Sequence, residues 1–383
     1  MSEKVGAVLK RLRELRAKYG VSSETIEEKL ILGPGWISRI ESGKSVPNLD
    51  TLLAILDVIG SNLTELNEGL ANQHLTHEME RHTYALQEGN DIVVHFTYAN
   101  HDAIYRLVNA TVAEFDDVMR TLRNGLKRLA ITGSGQSEAV KTEAVANAFL
   151  RAVQLWPHVN PSDLWLFVVS RAYFDPFNHP ATYARLDLGQ SWKRTGGWAL
   201  EEILVRHYGP FLSERGIEIL IAKGAEKAKL VSQFRVDDRL ETDKIDVLIV
   251  GHGGGTRVCF GVIHVKASFA ERRTDDVPMS RTLIKAGYTS PLWTMDCKSA
   301  PSAKPVNHGE LGAILSMGVD KRSAKRKDIE DDGYFSACFS CNSNTMPTPI
   351  EQAAQARIYV CDFKNPDDEF SRFILQEWER FSH

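Results

Sequence analysis

One hairpin in this sequence gathers side chains that can do chemistry. Asp246 opens the apolar run KIDVLIV, and a glycine-rich link, GHGGGT, leads into a second run, VCFGVIHVKAS. Side chains of a strand alternate between its two faces. His264 and Lys266 therefore share a face with Val262, while Gly261, Ile263 and Val265 point the other way, into packing. A charged lysine on an otherwise apolar strand is expensive to keep there, which argues for use rather than accident. Asp246 offers an oxygen donor of the kind a hard cation takes. Lys266 beside it offers positive charge for a developing anion. Directly downstream the chain turns densely charged: Glu271, Arg272, Arg273, Asp275 and Asp276 fall in the stretch ERRTDD.

The elements that must position this hairpin can be read from apolar periodicity. IEILIA, KIDVLIVG, VCFGVIHVKAS and SPLWTMD read as strands, and GHGGGT as a hairpin turn. GHGGGT lacks the lysine and following helix of a phosphate loop. NPSDLWLFVVSRAY reads as a capped apolar helix, and SWKRTGGWALEEILVRHYGPFLSERG as another, opened by Gly196 and Gly197. Helices and strands in this order predict an α/β domain with a central mixed sheet over residues 156–383. Residues 71–155 read as a mostly helical connector or dimerisation region. HDAIYRLVNATVAEFDDVMRTLRNGLKRLA and AVKTEAVANAFLRAVQLW carry the helical period, although IVVHFTY before them reads as a strand. Residues 1–70 read as one domain, in which residues 4–70 form five short helices, with Ser22 or Ser23 capping one and Asn48 or Asp50 another.

Composition bounds the function classes. At 383 residues the chain is long enough for two or three domains. With 43% hydrophobic and 25% charged residues it is an ordinary globular sequence. No apolar run reaches the length that spans a bilayer, and the charged N-terminus has no apolar signal core. The five cysteines are odd in number and scattered, as in a reducing cytosol. The net charge of −4 leans away from nucleic acid. A nuclease, however, needs acidic metal ligands and can confine its basic residues to one cleft.

The stretch ISRIESGKSVPNLDTLLAI, Ile37 to Ile55, resembles the xre/cro-type helix-turn-helix family, and the likeness spans about residues 4–67. The resemblance implies that the helix beginning near Pro34 enters the DNA major groove. The residues at its tip here are Gly33, Pro34 and Gly35, which have no side chain that reads a base. Trp36, Ser38 and Arg39, which follow, are then the candidates for DNA contact. Ser23 stands where the family has a phosphate-gripping glutamine, and Glu27 replaces a small alanine. A role in contacting protein instead of DNA stays open.

The later hairpin resembles the PD-(D/E)XK nuclease superfamily. The matching residues are Asp246 in KIDVLIV, Lys266 in IHVKAS, and Glu201 or its neighbour Glu202 in GGWALEEIL. Within it, NPSDLWLFVVSRAY, SWKRTGGWALEEIL and HVKASFAERRTDDVPMSRTL resemble type II restriction endonucleases of the BsaWI-like, CCGG-cutting group, over about residues 155–350. The resemblance implies Mg²⁺ held by Asp246 and a glutamate, with Lys266 holding or polarising the attacking water. The acid of the (D/E)xK triplet is His264 here, and imidazole suits transition metals better than Mg²⁺. Three readings follow. The third carboxylate has moved to Glu201, Glu202 or Glu271; His264 acts on water itself; or the site is inactive.

The family also implies that a short Arg/Asp segment after the lysine reads G·C pairs. Arginine forks onto guanine, and a carboxylate accepts from cytosine N4. Arg272, Arg273, Asp275 and Asp276 are the candidates, with helix capping by DDVP the alternative for the two aspartates. Asn342 and Asn344 could reach base or backbone edges, and turn formation competes with that role. The basic run DKRSAKRKD could grip phosphates or lie solvated, and the lone C-x-x-C of CFSC reads as core. The expectation is thus a cytoplasmic bacterial restriction endonuclease. It would act with Mg²⁺ on double-stranded DNA as a homodimer, leave 5′-phosphates at a G/C-containing palindrome, and make no membrane contact. The rival is a helix-turn-helix transcriptional regulator carrying a catalytically inactive nuclease-like domain.

Overall fold

The structure, a computed structural model, describes residues 3–68, 83–98, 101–132, 136–174, 188–236, 240–253, 255–268, 273–298, 300, 303–315 and 320–382. The chain divides into two compact units, Met1–Leu75 and Thr76–His383.

Among its described residues the first unit has only helices: α1 (Glu3–Lys18), α2 (Ser23–Lys29), α3 (Trp36–Glu41), α4 (Leu49–Ile59) and α5 (Leu63–Glu68). Leu9, Leu12, Leu15, Ile26, Ile37, Ile40, Ile55, Leu56 and Ile59 close its own small core. Ser22 caps α2 and Asn48 caps α4, each through its side-chain oxygen. The N-cap of α3 is Gly35, in the left-handed region at φ 75°, and it has no capping side chain of its own. Glu27 supplies one from α2: its carboxylate accepts from the N–H of Gly35 at 3.0 Å and of Ile37 at 2.9 Å. That explains why a glutamate replaces the family's alanine.

The second unit opens with a three-stranded antiparallel meander, β1 (Thr83–Glu88), β2 (Asp91–Tyr98) and β3 (His101–Leu107). The segment from His101, read as helical from its start, is therefore a strand first. Tyr105 and Leu107 are buried while Ile104 and Arg106 are exposed, the alternation of a half-buried strand. The helix proper, α6 (Val112–Lys127), starts at a capping box formed by Thr111 and Glu114. Then come α7 (Ser137–Leu155), α8 (Pro161–Phe174) and α9 (Leu188–Ser213). α9 begins ahead of Gly196 and Gly197 and runs through them, and the burial of Ala199, Leu200, Ile203 and Leu204 after them offsets the helix penalty of about 1 kcal/mol per glycine.

The main sheet runs β4 (Ile217–Leu220), β5 (Val247–Gly253), β6 (Thr256–Lys266), β7 (Leu292–Thr294), β8 (Cys338–Ser340) and β9 (Ile358–Val360), in that spatial order. Its first three strands are antiparallel and its last four, β6 onward, parallel, which makes it the mixed sheet of a restriction endonuclease fold. Between the strands lie α10 (Gly224–Val231), α11 (Arg273–Lys285) and α12 (Ala324–Glu330), and α13 (Glu369–Ser382) ends the chain. The register of β5 and β6 slips at Phe260: Ile249 opposes Gly261 but Val250 opposes Cys259. This bulge lets Phe260 join Ile263 and Val265 on the face that packs with α7, α8 and α9. Val262, Leu248 and Val250 pack on the other face with Leu230 of α10 and Leu283 of α11. Residues 83–155 contribute Ile92, Phe115, Val145 and Phe149 to the same core as the sheet. Among the described residues no helix is long and apolar enough to cross a membrane.

Candidate active site

The two antiparallel strands β5 and β6 deliver the first part of the site. Asp246 stands one residue before β5, where Val247 pairs with Ile263, so the register carries Asp246 opposite His264. The Lys266 Nζ donates to Oδ2 of Asp246 at 2.6 Å, and the Val265 N–H donates to the same oxygen at 2.9 Å. The pair is nearly sealed, each side chain being 11% exposed.

The second part comes from α11. Asp276 is 4% exposed and reaches back to the hairpin. Its Oδ2 lies 3.4 Å from Lys266 Nζ, and its Oδ1 lies 3.5 Å from Nδ1 of His264. Burial works to raise the Asp276 carboxyl, but His264 and Lys266 outweigh it and hold the group below the usual carboxylate range. Asp246, His264 and Asp276 present ligand atoms all within 4.8 Å of one another. His264 itself is fully buried, with Nε2 3.0 Å from the Ser290 hydroxyl and its ring edge-on to Phe335.

The third part is α9, on which two adjacent glutamates have different surroundings. Glu201 is buried, and its carboxyl is pushed up to about 8, first by burial and then by the charge of Asp246. Glu202 points to the outer side of the helix, where it pairs with Arg206 at 2.7 Å. The charges of Lys266, Lys227 and Lys223 pull the Glu201 value partly back down.

These residues fit a hard divalent cation. Asp246, Asp276 and Glu201 are oxygen donors, the set Mg²⁺ takes. Burial first, and then the charge of Asp246, raises the Glu201 carboxyl, and a bound dication would favour its charged form.

Several sequence expectations move. Asp276 is neither a groove contact nor a cap: α11 starts at Arg273, ahead of DDVP, and Asp276 faces inward with Ser280 and Leu283. That spacing of four and three residues was the available signal, since it marks the buried face of a helix. The backing serine, Ser290, carried no signal at all. Glu271 and Arg272 lie outside the described residues, and of Arg273 and Asp275 only the backbone, in the first turn of α11, is described.

Asn342 is fully buried and bonded internally: its Nδ2 donates to the Asp296 carbonyl at 2.9 Å and its Oδ1 accepts from Asn160 Nδ2 at 3.0 Å. It is closed off from any base. Asn344 is exposed, with its amide donating to the Asn307 carbonyl. In the basic run DKRSAKRKD, Arg326 is buried and paired to Glu330 at 2.7 Å, Arg322 pairs with Glu330 and Asp331, and Lys321 is exposed. Cys338 and Cys341 are buried thiols of the sheet region. In the first unit, Trp36 packs against the small core, while Ser38 and Arg39 are exposed on α3.

Comparison with known proteins yields three likenesses. Residues 5–68 match the family described as helix-turn-helix domain. Over 243 residues the chain is 39% identical to the type II restriction enzyme AgeI of Thalassovita gelatinovora, covering 61% of this chain and 84% of that enzyme. The crystal structure of the specific AgeI–DNA complex aligns with a TM-score of 0.61 at 33% identity, over 74% of this chain and 99% of that one. The pre-specific BsaWI–DNA complex aligns with a TM-score of 0.34 at 17% identity, over 70% of this chain and 94% of that one, which is too low to establish a shared fold.

Proposed function

The chain belongs to the type II restriction enzymes, site-specific deoxyribonucleases, and we propose that it cuts both strands of DNA in a Mg²⁺-dependent reaction leaving 5′-phosphates. The observation that carries this is the meeting of Asp246 and Asp276 at Lys266, with the buried Glu201 carboxyl within the electrostatic reach of Asp246 and Lys266.

Asp246, Asp276 and Glu201 would hold the cation. When bound, Mg²⁺ supplies charge at the phosphoryl oxygens and lowers the pKa of water. The protein's own contribution is position. Asp246 is fixed by two donors, Lys266 and the Val265 N–H, so its second oxygen keeps one orientation. Lys266 hangs between two carboxylates and would bring its positive charge to an attacking water or a phosphate oxygen. The dry walls, Val262 on one side and Phe335 beyond His264, keep the local dielectric low and strengthen each contact.

Arg272, Arg273 and Asp275 are assigned to base reading on composition and on their place in the sequence, just ahead of Asp276. Arginine on guanine and carboxylate on cytosine would make the target G/C-containing. A palindromic target read by two copies of this chain, a homodimer, is the arrangement that matches twofold symmetry. In the helix-turn-helix unit, Ser38 and Arg39, both exposed, are assigned to backbone rather than base contact, since Gly33, Pro34 and Gly35 have no side chain that reads a base. This reading places the enzyme in a bacterial cytoplasm, beside the DNA it polices. His264, the one feature favouring an inactive regulator, loses that force once Asp276 stands in for the missing acid.

The test is direct. Phage DNA is incubated with the full-length protein and Mg²⁺, with EDTA, and with Lys266→Ala. Discrete fragments that need both the metal and the lysine support the reading. Intact DNA under Mg²⁺, Mn²⁺ and Co²⁺ alike sinks it.

A further inference from the structure

We propose that His264 is a positioning residue, which holds the Asp276 side chain in its cation-binding orientation from the place where the family pattern carries a carboxylate. The proposal rests on the reading of Asp276 as a metal-holding acid.

A strand acid is aimed by its own backbone. Asp276 instead arrives on the first turns of a helix, and its direction must be set by what it touches. One oxygen has Lys266; the other has His264. The imidazole is well fixed: it is wholly buried, lies edge-on to Phe335 with centroids 5.3 Å apart, and has Nε2 3.0 Å from Ser290 Oγ. Ser290 is fixed in turn, its N–H donating to Ser336 Oγ at 3.0 Å and its carbonyl accepting from Ser280 Oγ at 3.3 Å. Ser280 lies one helical turn beyond Asp276 on the same α11, so a single chain of contacts ties the acid, the helix and the histidine.

The tautomer follows from this geometry. An unprotonated Nδ1 would set its lone pair against the Asp276 carboxylate, and among the described residues it has no aligned hydrogen-bond partner. A proton on Nδ1 removes the clash and puts a donor 3.5 Å from Oδ1, while the Ser290 hydroxyl donates to Nε2. Oδ2 is then left for Lys266 and the cation. An acid at position 264 would add a further buried negative charge beside Asp246 and Asp276. Histidine adds a donor instead, in the way supporting residues orient metal-holding groups.

The test uses full-length His264→Ala, His264→Leu and His264→Asn, alone and on an Asp276→Asn background. Thermal melts identify variants that fold, and leucine keeps the buried volume if alanine does not. Calorimetric binding of Ca²⁺ and single-turnover cleavage with Mg²⁺ are read together. Alanine or leucine is expected to weaken both by about 10- to 100-fold while metal-free DNA affinity stays within about twofold. Asparagine, whose amide N–H can stand in for Nδ1–H, recovers most of the loss. On the Asp276→Asn background the histidine variants weaken Ca²⁺ binding no further. Losses that add on that background, or an asparagine variant as impaired as leucine, overturn the proposal; direct ligation by His264 would give that result. An Asp276→Asn enzyme that cuts like wild type overturns the acid's role itself, a distinct failure from additive histidine losses.

Discussion

Replacing Asp276 by asparagine keeps the volume of the side chain and removes its charge, so it isolates what the carboxylate does beside Lys266. Cleavage should fall by about 10²- to 10³-fold, the size of losing one preorganised electrostatic contact, with DNA binding in Ca²⁺ retained, measured by single-turnover kinetics and gel shift. The neighbouring glutamates separate just as cleanly. Glu201→Gln should bring a loss of similar size, whereas Glu202→Gln breaks only a half-exposed pair with Arg206 and should change the rate by less than about threefold. At this scale Asp246 and Lys266 were legible, because alternation along two strands fixes who shares a face. Asp276 was misread for a physical reason: an acid near a helix start and beside two arginines matches a cap or a base reader equally well. Only its contacts distinguish these roles, and contacts between segments ten residues apart are not written in periodicity.

The strands depend on close approach at one glycine. A Cβ on Gly261 would collide with the carbonyl oxygen of Thr289, the oxygen that accepts from the Val262 N–H. Gly261→Ala should therefore push β6 off the loop ahead of β7, costing about 1–3 kcal/mol and slowing cleavage through displacement of His264 from Ser290. Denaturant melts and cleavage rates on one preparation check both. α3 offers a parallel case. Glu27→Ala leaves two N–H groups uncapped, so amide exchange in α3 should quicken roughly 5- to 30-fold, the equivalent of about 1–2 kcal/mol. Most elements were legible in outline from the apolar runs, including all four predicted strands of the sheet. β8 and β9 were not, since three-residue strands are too short to show a period. The starts of α9 and α11 were misplaced because glycine and proline were read as boundaries, and Pro278 and the Gly196–Gly197 pair lie within helices.

For the whole molecule, the two units make separable predictions. The AgeI structure aligns along 99% of its length yet leaves about a quarter of this chain unmatched, and residues 1–75 form a compact unit with a core of their own. A chain beginning at residue 76 should keep its metal-dependent cutting within about threefold in single-turnover assays, with any loss appearing as weaker loading on DNA. Stability should also depend on pH through His207. Burial lowers it from 6.5 to about 4, so the unfolded chain binds the proton first. Stability is then highest above 6.5 and falls as pH drops toward 4, by roughly 2–3 kcal/mol from this group. His207→Phe should flatten that part of the curve, measured by urea unfolding at pH 7 and pH 4.5.

The start of α11 has a mechanical meaning beyond the site. Arg273 and Asp276 sit within one turn of the same helix, and a turn of α-helix advances only about 5.4 Å along its axis. On the reading proposed here, the residues that interrogate the base sequence and the acid that arms the blade are rigidly ganged. A wrong base pair that unseats the first turn therefore withdraws the acid as well. The interlock makes fidelity a property of one short rod rather than of a signal passed between distant parts.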